Sequence, residues 1–272
     1  MLGVYTIVQS SGHGWASART TTLGAVSLVL LALFVWRQSS ARSPLMPLPV
    51  FRSRLISGAN LVQVLMMAGL FGQFFLGALY MQRVLGYGEI EIGLAYLPLA
   101  VGIAVLSLRI APSLITRFGA RTVLVPGLLL ILVGLGLLAR VPVSGSYWRD
   151  ILPSMLTVGI GAGLTFPSVM TLAMAGVGPD EAGLASGLAN TAQQVGGALG
   201  LAVLATLSSS RSADLARDGE SAARSLTGGY HLAFTVGAAL VVVAVLIAAT
   251  VLRPERAAVA AQEILEPVTA AD

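Results

Sequence analysis

Long apolar runs with few charges alternate with short polar or arginine-bearing stretches, at about 55–82, 92–115, 122–139, 151–177, 178–210 and 230–252. About 20 apolar residues in helix cross a bilayer's hydrocarbon, so each run predicts a transmembrane helix and residues 55–252 a six-helix bundle. Two earlier runs are shorter. Residues 1–10 read as the remnant of a truncated transmembrane helix. Residues 21–36 read as an extra transmembrane helix closing on Trp36 and Arg37, an interfacial aromatic beside a positive charge. The predicted fold class is an all-α integral membrane protein, six helices in a bundle with one transmembrane helix ahead of it. Residues 37–54 hold three prolines and four arginines, which exclude one continuous helix and predict a linker at a membrane surface. Residues 211–229 read as a polar loop, and 253–272 as a polar, Ala-rich mobile tail.

Polar positions inside the apolar runs fall on stripes. At 100° per residue, Gly183, Ser186, Asn190, Gln193, Gln194, Gly197 and Gly200 share about a third of one helix's circumference. Asn60, Gln63, Gln73, Gly77 and Tyr80 occupy less than half of another. Amides facing lipid are costly, so both stripes must look at other helices or at a watery cavity. Two readings stay open for them, helix-packing contacts or the lining of a translocation path. The candidates for a substrate cavity are Asn60, Gln63, Gln73, Tyr80, Asn190, Gln193 and Gln194. Glycines also recur four apart, and Gly159, Gly163, Gly196 and Gly200 are the candidates for close helix packing.

Composition agrees with a membrane chain: 56% hydrophobic and 10% charged residues, with a mean hydropathy of +0.86. An ordinary soluble domain carries about a quarter charged residues. There is no cysteine, which excludes disulfides and thiolate metal sites. The pI of about 10.0 does not point to nucleic acid, because the arginines are scattered through short loops with no aromatic-interleaved cluster. His13 and His231 lack spaced partners, so no metal site is expected. No nucleophile–base pair and no phosphate-cradling glycine–lysine loop occurs, so neither an enzyme nor an ATP-driven pump is expected, and no cofactor.

The charged positions say more. All 12 acidic residues fall in predicted loops, turns or the tail, whereas a proton- or cation-coupled carrier normally holds an ionisable group inside the membrane. Arg109 is the exception among the charges: it lies within a segment, and either snorkels to the interface or pairs with a partner bundle. Asp180 and Glu181, just after Pro179, read as helix-start residues in the first turn of the 178–210 run. The stretch TRFGAR, with Arg117, Gly119 and Arg121, reads as a tight turn between two helices, serving as an anchor or as a gate contact. The arginine concentration at 37–54 predicts that this linker, TRFGAR, the turn at 178–183 and the tail are cytoplasmic.

The stretches PLMPLPVFRSR, YMQRVLGYGEIEIGLAYLPLAVG, PSLITRFGAR and GLTFPSVMTLAMAGVGPDEAGLASGLANTAQQVGGALG, in that order, resemble the drug/proton antiporters of the major facilitator superfamily, in their fourteen-helix branch. The resemblance covers about residues 15–252. It implies two six-helix bundles joined by two extra helices and working by alternating access, with residues 55–252 as the C-terminal bundle. It also implies a bacterial inner-membrane location, export of small amphipathic molecules, and a proton gradient as energy source. TRFGAR then resembles the degenerate copy of the family's cytoplasmic loop motif: Arg117, Gly119 and Arg121 match, and Thr116 stands where the acid would be. The proton-linked residues would belong to an N-terminal bundle supplied by another segment, another chain or a second copy.

Overall fold

In the computed structural model, the described residues are 53–252, apart from 176, 179 and 180, together with seven helical positions between 22 and 37. The expected remnant at 1–10, most of the linker at 37–54 and the tail at 253–272 lie outside them. Of the expected extra helix at 21–36, Thr22, Ala25, Val26, Val29, Leu30 and Leu33 are described, all helical and exposed.

Six long helices follow: α1 (Arg54–Arg83), α2 (Glu89–Phe118), α3 (Ala120–Leu138), α4 (Tyr147–Ala173), α5 (Ala182–Arg217) and α6 (Ala222–Thr250). All but α5 are long and apolar enough to cross a membrane. At 36 residues α5 has ample length, but Asn190, Gln193, Gln194 and its glycines and hydroxyls dilute its hydropathy. Among the described residues no strand occurs.

Prolines shape two of the rods. A proline lacks the amide donor and its ring crowds the carbonyl four residues back, so the preceding turn widens. Pro112 follows a π turn at Leu106–Ile110, and Pro153 follows one at Tyr147–Ile151. The first of these π turns carries Arg109, which is exposed and takes no ion pair among the described residues.

Glycines set the helix crossings. A Cβ on Gly200 would lie 2.2 Å from Ala68 Cα, and one on Gly196 would lie 2.5 Å from the Val64 carbonyl oxygen, so α5 meets α1 backbone to backbone. A Cβ on Gly159 would lie 2.8 Å from the Leu99 carbonyl oxygen and one on Gly163 2.6 Å from Leu106 Cβ, so α4 comes close onto α2. In lipid, where apolar area gives no drive to associate, such approach lets dispersion and weak polar contacts act. α3 packs along α4, α6 fills the space against α1, α3 and α5, and α2 leans on α4 from the rim. Two core clusters result. One, with Met66, Leu128, Ile131, Ala162 and Val241, lies toward the Arg54 end of α1. The other, with Leu76, Tyr80, Tyr96, Met155 and Phe234, lies toward the Arg83 end.

Three boundaries depart from expectation. The polar stretch 211–229 is not a loop: α5 runs to Arg217, α6 starts at Ala222, and only residues 218–221 break the helix. Its alternating charges pair along helical spacings, Arg217 with Asp214 three residues back and Arg224 with Glu220 four back. Gly219, at φ +89°, supplies the sharp turn. Glu89 and Glu91 likewise sit inside the first turn of α2, where Glu91 Oε2 accepts from the Gly88 amide at 2.8 Å. Glu181 is the residue before α5 rather than part of its first turn, and Pro179 and Asp180 fall outside the described residues.

Candidate functional site: an aromatic pocket beside an amide seam

Four helices, α1, α2, α4 and α5, border a pocket of about 630 Å³. Phe71, Phe74 and Phe75 of α1 form one wall, Phe166 of α4 and Ile103 of α2 face them, and Leu201 of α5 closes a side. The three phenylalanines stand at i, i+3 and i+4, which puts them on one helical face. Phe74 is held in place by Tyr96: the ring centroids are 4.5 Å apart, and Tyr96 Oη donates to the Phe74 carbonyl at 2.7 Å. Gln73 is the polar residue among the lining, and its Nε2 reaches Met155 Sδ at 3.6 Å. Gln73 is itself buried, so the exposed lining is apolar, and such a chamber suits a flat or branched apolar ligand.

The other expected cavity residues distribute differently. Gln63 and Gln193 meet across the α1–α5 seam, Gln63 Nε2 donating to Gln193 Oε1 at 3.4 Å. Asn60 is buried one turn below and turns its amide back to the Ile56 carbonyl at 2.8 Å. Asn60 Oδ1 and Gln63 Oε1 are buried with no donor among the described residues. Asn190 and Gln194 are exposed on the open side of α5, next to the exposed Gly183 and Gly187. Tyr80 is placed away from both: it is 1% exposed and its hydroxyl donates to the Pro142 carbonyl at 2.6 Å, tying α1 to the α3–α4 loop.

The turn between α2 and α3 has a definite job. Gly119 adopts φ +83°, ψ +148°, a conformation that lets α2 stop and α3 begin one residue later. Arg121 crosses to the end of α6, where Nε donates to the Ala248 carbonyl at 3.2 Å and the guanidinium also bonds the Ala249 carbonyl. Carbonyls in a helix's last turn lack amide partners, and a cation there also meets the negative end of the dipole. Arg117 is exposed over the Phe118 ring, 5.2 Å from its centroid. Thr116 bonds the Ser113 carbonyl at 3.0 Å within its own helix.

Two features were missed from sequence. The phenylalanine face is legible as FGQFF at 71–75, yet polar periodicity does not single it out. The reach of Arg121 to α6 joins residues 127 apart in the chain, and nothing local signals it.

The sequence profile of the Major Facilitator Superfamily matches residues 2–201. The chain belongs to this superfamily. A puromycin resistance protein of Streptomyces alboniger is 36% identical over 245 residues, covering 87% of this chain and 48% of that protein. A cephamycin export protein of Amycolatopsis lactamdurans is 33% identical over 205 residues, covering 75% of this chain and 42% of its own length. A multidrug resistance protein of Mycobacterium tuberculosis is 29% identical over 204 residues, covering 75% and 37%. The chain thus spans about half the length of the curated relatives it matches. These relatives are resistance and export proteins, and membership makes this chain an all-α, multi-pass membrane protein.

Proposed function

We propose that this chain forms one six-helix half of an exporter that moves small amphipathic molecules across a bacterial plasma membrane, with its C-terminus in the cytoplasm. The observation that carries the reading is the 630 Å³ pocket with its aromatic wall, a surface suited to apolar drug-like molecules. The resistance and export names of the relatives support the same class. In this reading Asn190, Gln193 and Gln194 extend the path along α5, Asn60 and Gln63 supply acceptors to it, and Arg117, Gly119 and Arg121 form the cytoplasmic turn. The proton gradient is the energy source. The groups that bind the proton belong to a partner bundle, because α1–α6 hold no carboxylate deep within the apolar stretches of the described residues. Alternating access needs that second bundle, or a second copy of this chain, to rock against.

The fraction of the relatives' length that is covered favours a second reading, a non-transporting fragment or a regulatory half that binds an intact exporter. Drug accumulation in an efflux-deficient bacterial host separates the two. The chain is expressed alone and beside an N-terminal six-helix bundle, with insertion checked by blot. Accumulation that falls only with the bundle, and recovers with a protonophore, supports the half-transporter. Unchanged accumulation in both, with good insertion, supports the second reading.

A further inference from the structure

A second pocket, of about 570 Å³, opens between α1, α5 and α6 at the Arg83 end of the bundle. Its two ends differ in chemistry. The end toward the middle of the bundle is apolar, with Phe75, Leu201 and Ala205; Phe75 and Leu201 also form part of the aromatic pocket's wall. The end toward the helix termini holds Arg83, Ser208, Ser212 and Tyr230, and no acidic residue lines the pocket among the described residues.

The polar end is built of donors without acceptors. Ser208 is 3% exposed and Tyr230 is 3% exposed, yet neither hydroxyl has a hydrogen-bond partner among the described residues. Ser212 is in the same position, one helical turn beyond Ser208. The neighbouring hydroxyls behave otherwise: Thr206 donates to the Ala202 carbonyl and Ser209 to the Thr206 carbonyl, as helical hydroxyls usually do. Arg83 has no carboxylate partner among the described residues, whereas Arg217 and Arg224 at the same end are paired with Asp214 and Glu220. A guanidinium and three free hydroxyls facing one opening match the oxygens of a phosphate.

Position fits as well. Tyr80, Tyr87, Tyr147, Trp148 and Tyr230 all lie at this end, the arrangement expected where a bundle meets the headgroup level. From Ser212 down to Ala198 the pocket follows α5 for about 21 Å at 1.5 Å per residue, room for a headgroup and much of an acyl chain.

We propose that this pocket binds one anionic phospholipid, its phosphate held by Arg83, Ser208, Ser212 and Tyr230 and one acyl chain laid along Phe75, Leu201 and Ala205. The lipid packs against the shared wall and so sets the shape of the neighbouring aromatic pocket. The proposal does not rest on transport and is tested by binding alone.

The experiment is native mass spectrometry of the full chain in mild detergent, titrated with phosphatidylglycerol, with phosphatidylcholine of the same acyl chains, and with inorganic phosphate. One phosphatidylglycerol is expected to stay bound in preference to phosphatidylcholine. Arg83→Gln should weaken it about tenfold, as loss of a charged hydrogen-bond partner does. Arg140→Gln, at the same end of the bundle but outside the pocket, should leave binding unchanged. Ala205→Phe, which fills the acyl groove without touching the polar end, should also exclude the lipid. Equal retention of the two lipids, full retention by Arg83→Gln, or displacement by millimolar phosphate would each overturn the proposal. The last outcome would place recognition in the anion alone.

Discussion

Arg121 and Ala248 are joined across the bundle, the guanidinium Nε of one donating to the carbonyl of the other at 3.2 Å. The start of α3 therefore closes the end of α6, and the short turn at Gly119 is what brings the arginine there. Removing the arginine leaves two carbonyls of a helix end, those of Ala248 and Ala249, without this donor. Arg121→Ala is expected to destabilise the bundle by about 1.5–3 kcal/mol, the range for a hydrogen bond to a charged group. Arg117→Ala, which loses an exposed cation–π contact, should cost about 0.5–1 kcal/mol. Thermal unfolding of the two variants in one detergent checks the order; equal melting temperatures would refute it.

The glycines of α5 are expected to divide by position. Gly200 has Ala68 Cα 2.2 Å from any added Cβ, while Gly187 has nothing within 4 Å. Gly200→Ala must push α5 off α1, and overpacking of this kind costs about 1–3 kcal/mol. Gly187→Ala should be neutral or stabilise by up to about 1 kcal/mol, because alanine favours helix more than glycine does. Thermal unfolding in detergent reads both, and a destabilising Gly187→Ala would show that this open side is covered in the folded protein.

Long apolar runs make the membrane helices legible in the sequence, because a bilayer demands about 20 apolar residues per crossing. Between 211 and 229 charge masks the helices, although Asp214, Arg217, Glu220 and Arg224 stand at helical pairing distances. Periodicity also showed that α1 and α5 carry polar stripes but not how they divide. Asn60 and Gln63 sink into the α1–α5 seam because Gly196 and Gly200 let the backbones meet there. Asn190 and Gln194, six and two residues before Gly196 on α5, stay open. Tyr80 shared the stripe of Gln73 yet serves a loop, since its acceptor, Pro142, lies 62 residues away.

That division gives a labelling experiment for which the chain is already suited, having no cysteine of its own. Single cysteines at positions 190 and 194 should react with a membrane-impermeant maleimide in detergent-solubilised protein. Cysteines at positions 60 and 80 should react at least tenfold more slowly, in keeping with burial of 8% and 1% residual exposure. Comparable rates at all four positions would mean that α1 and α5 are not closed on each other.

Tyr80 gives the most local test. Its hydroxyl donates to the Pro142 carbonyl at 2.6 Å, and its ring meets Tyr230 edge-on at 6.4 Å. Tyr80→Phe keeps the ring and removes the donor, leaving the carbonyl of a loop residue to find another partner. Pro142 is exposed, so water can replace the lost bond, and the cost should sit near the lower end of the usual 0.5–1.5 kcal/mol. Tyr80→Ala also deletes a ring that is nearly fully buried, adding a cavity term that brings the loss to about 3–5 kcal/mol. If Tyr80 lined a substrate path instead, Tyr80→Phe would change drug selectivity in a complete exporter with no shift in melting temperature. A small drop in melting temperature with unchanged selectivity is the expected outcome, because the ring is shut inside the core that binds α1, α4 and α6 together.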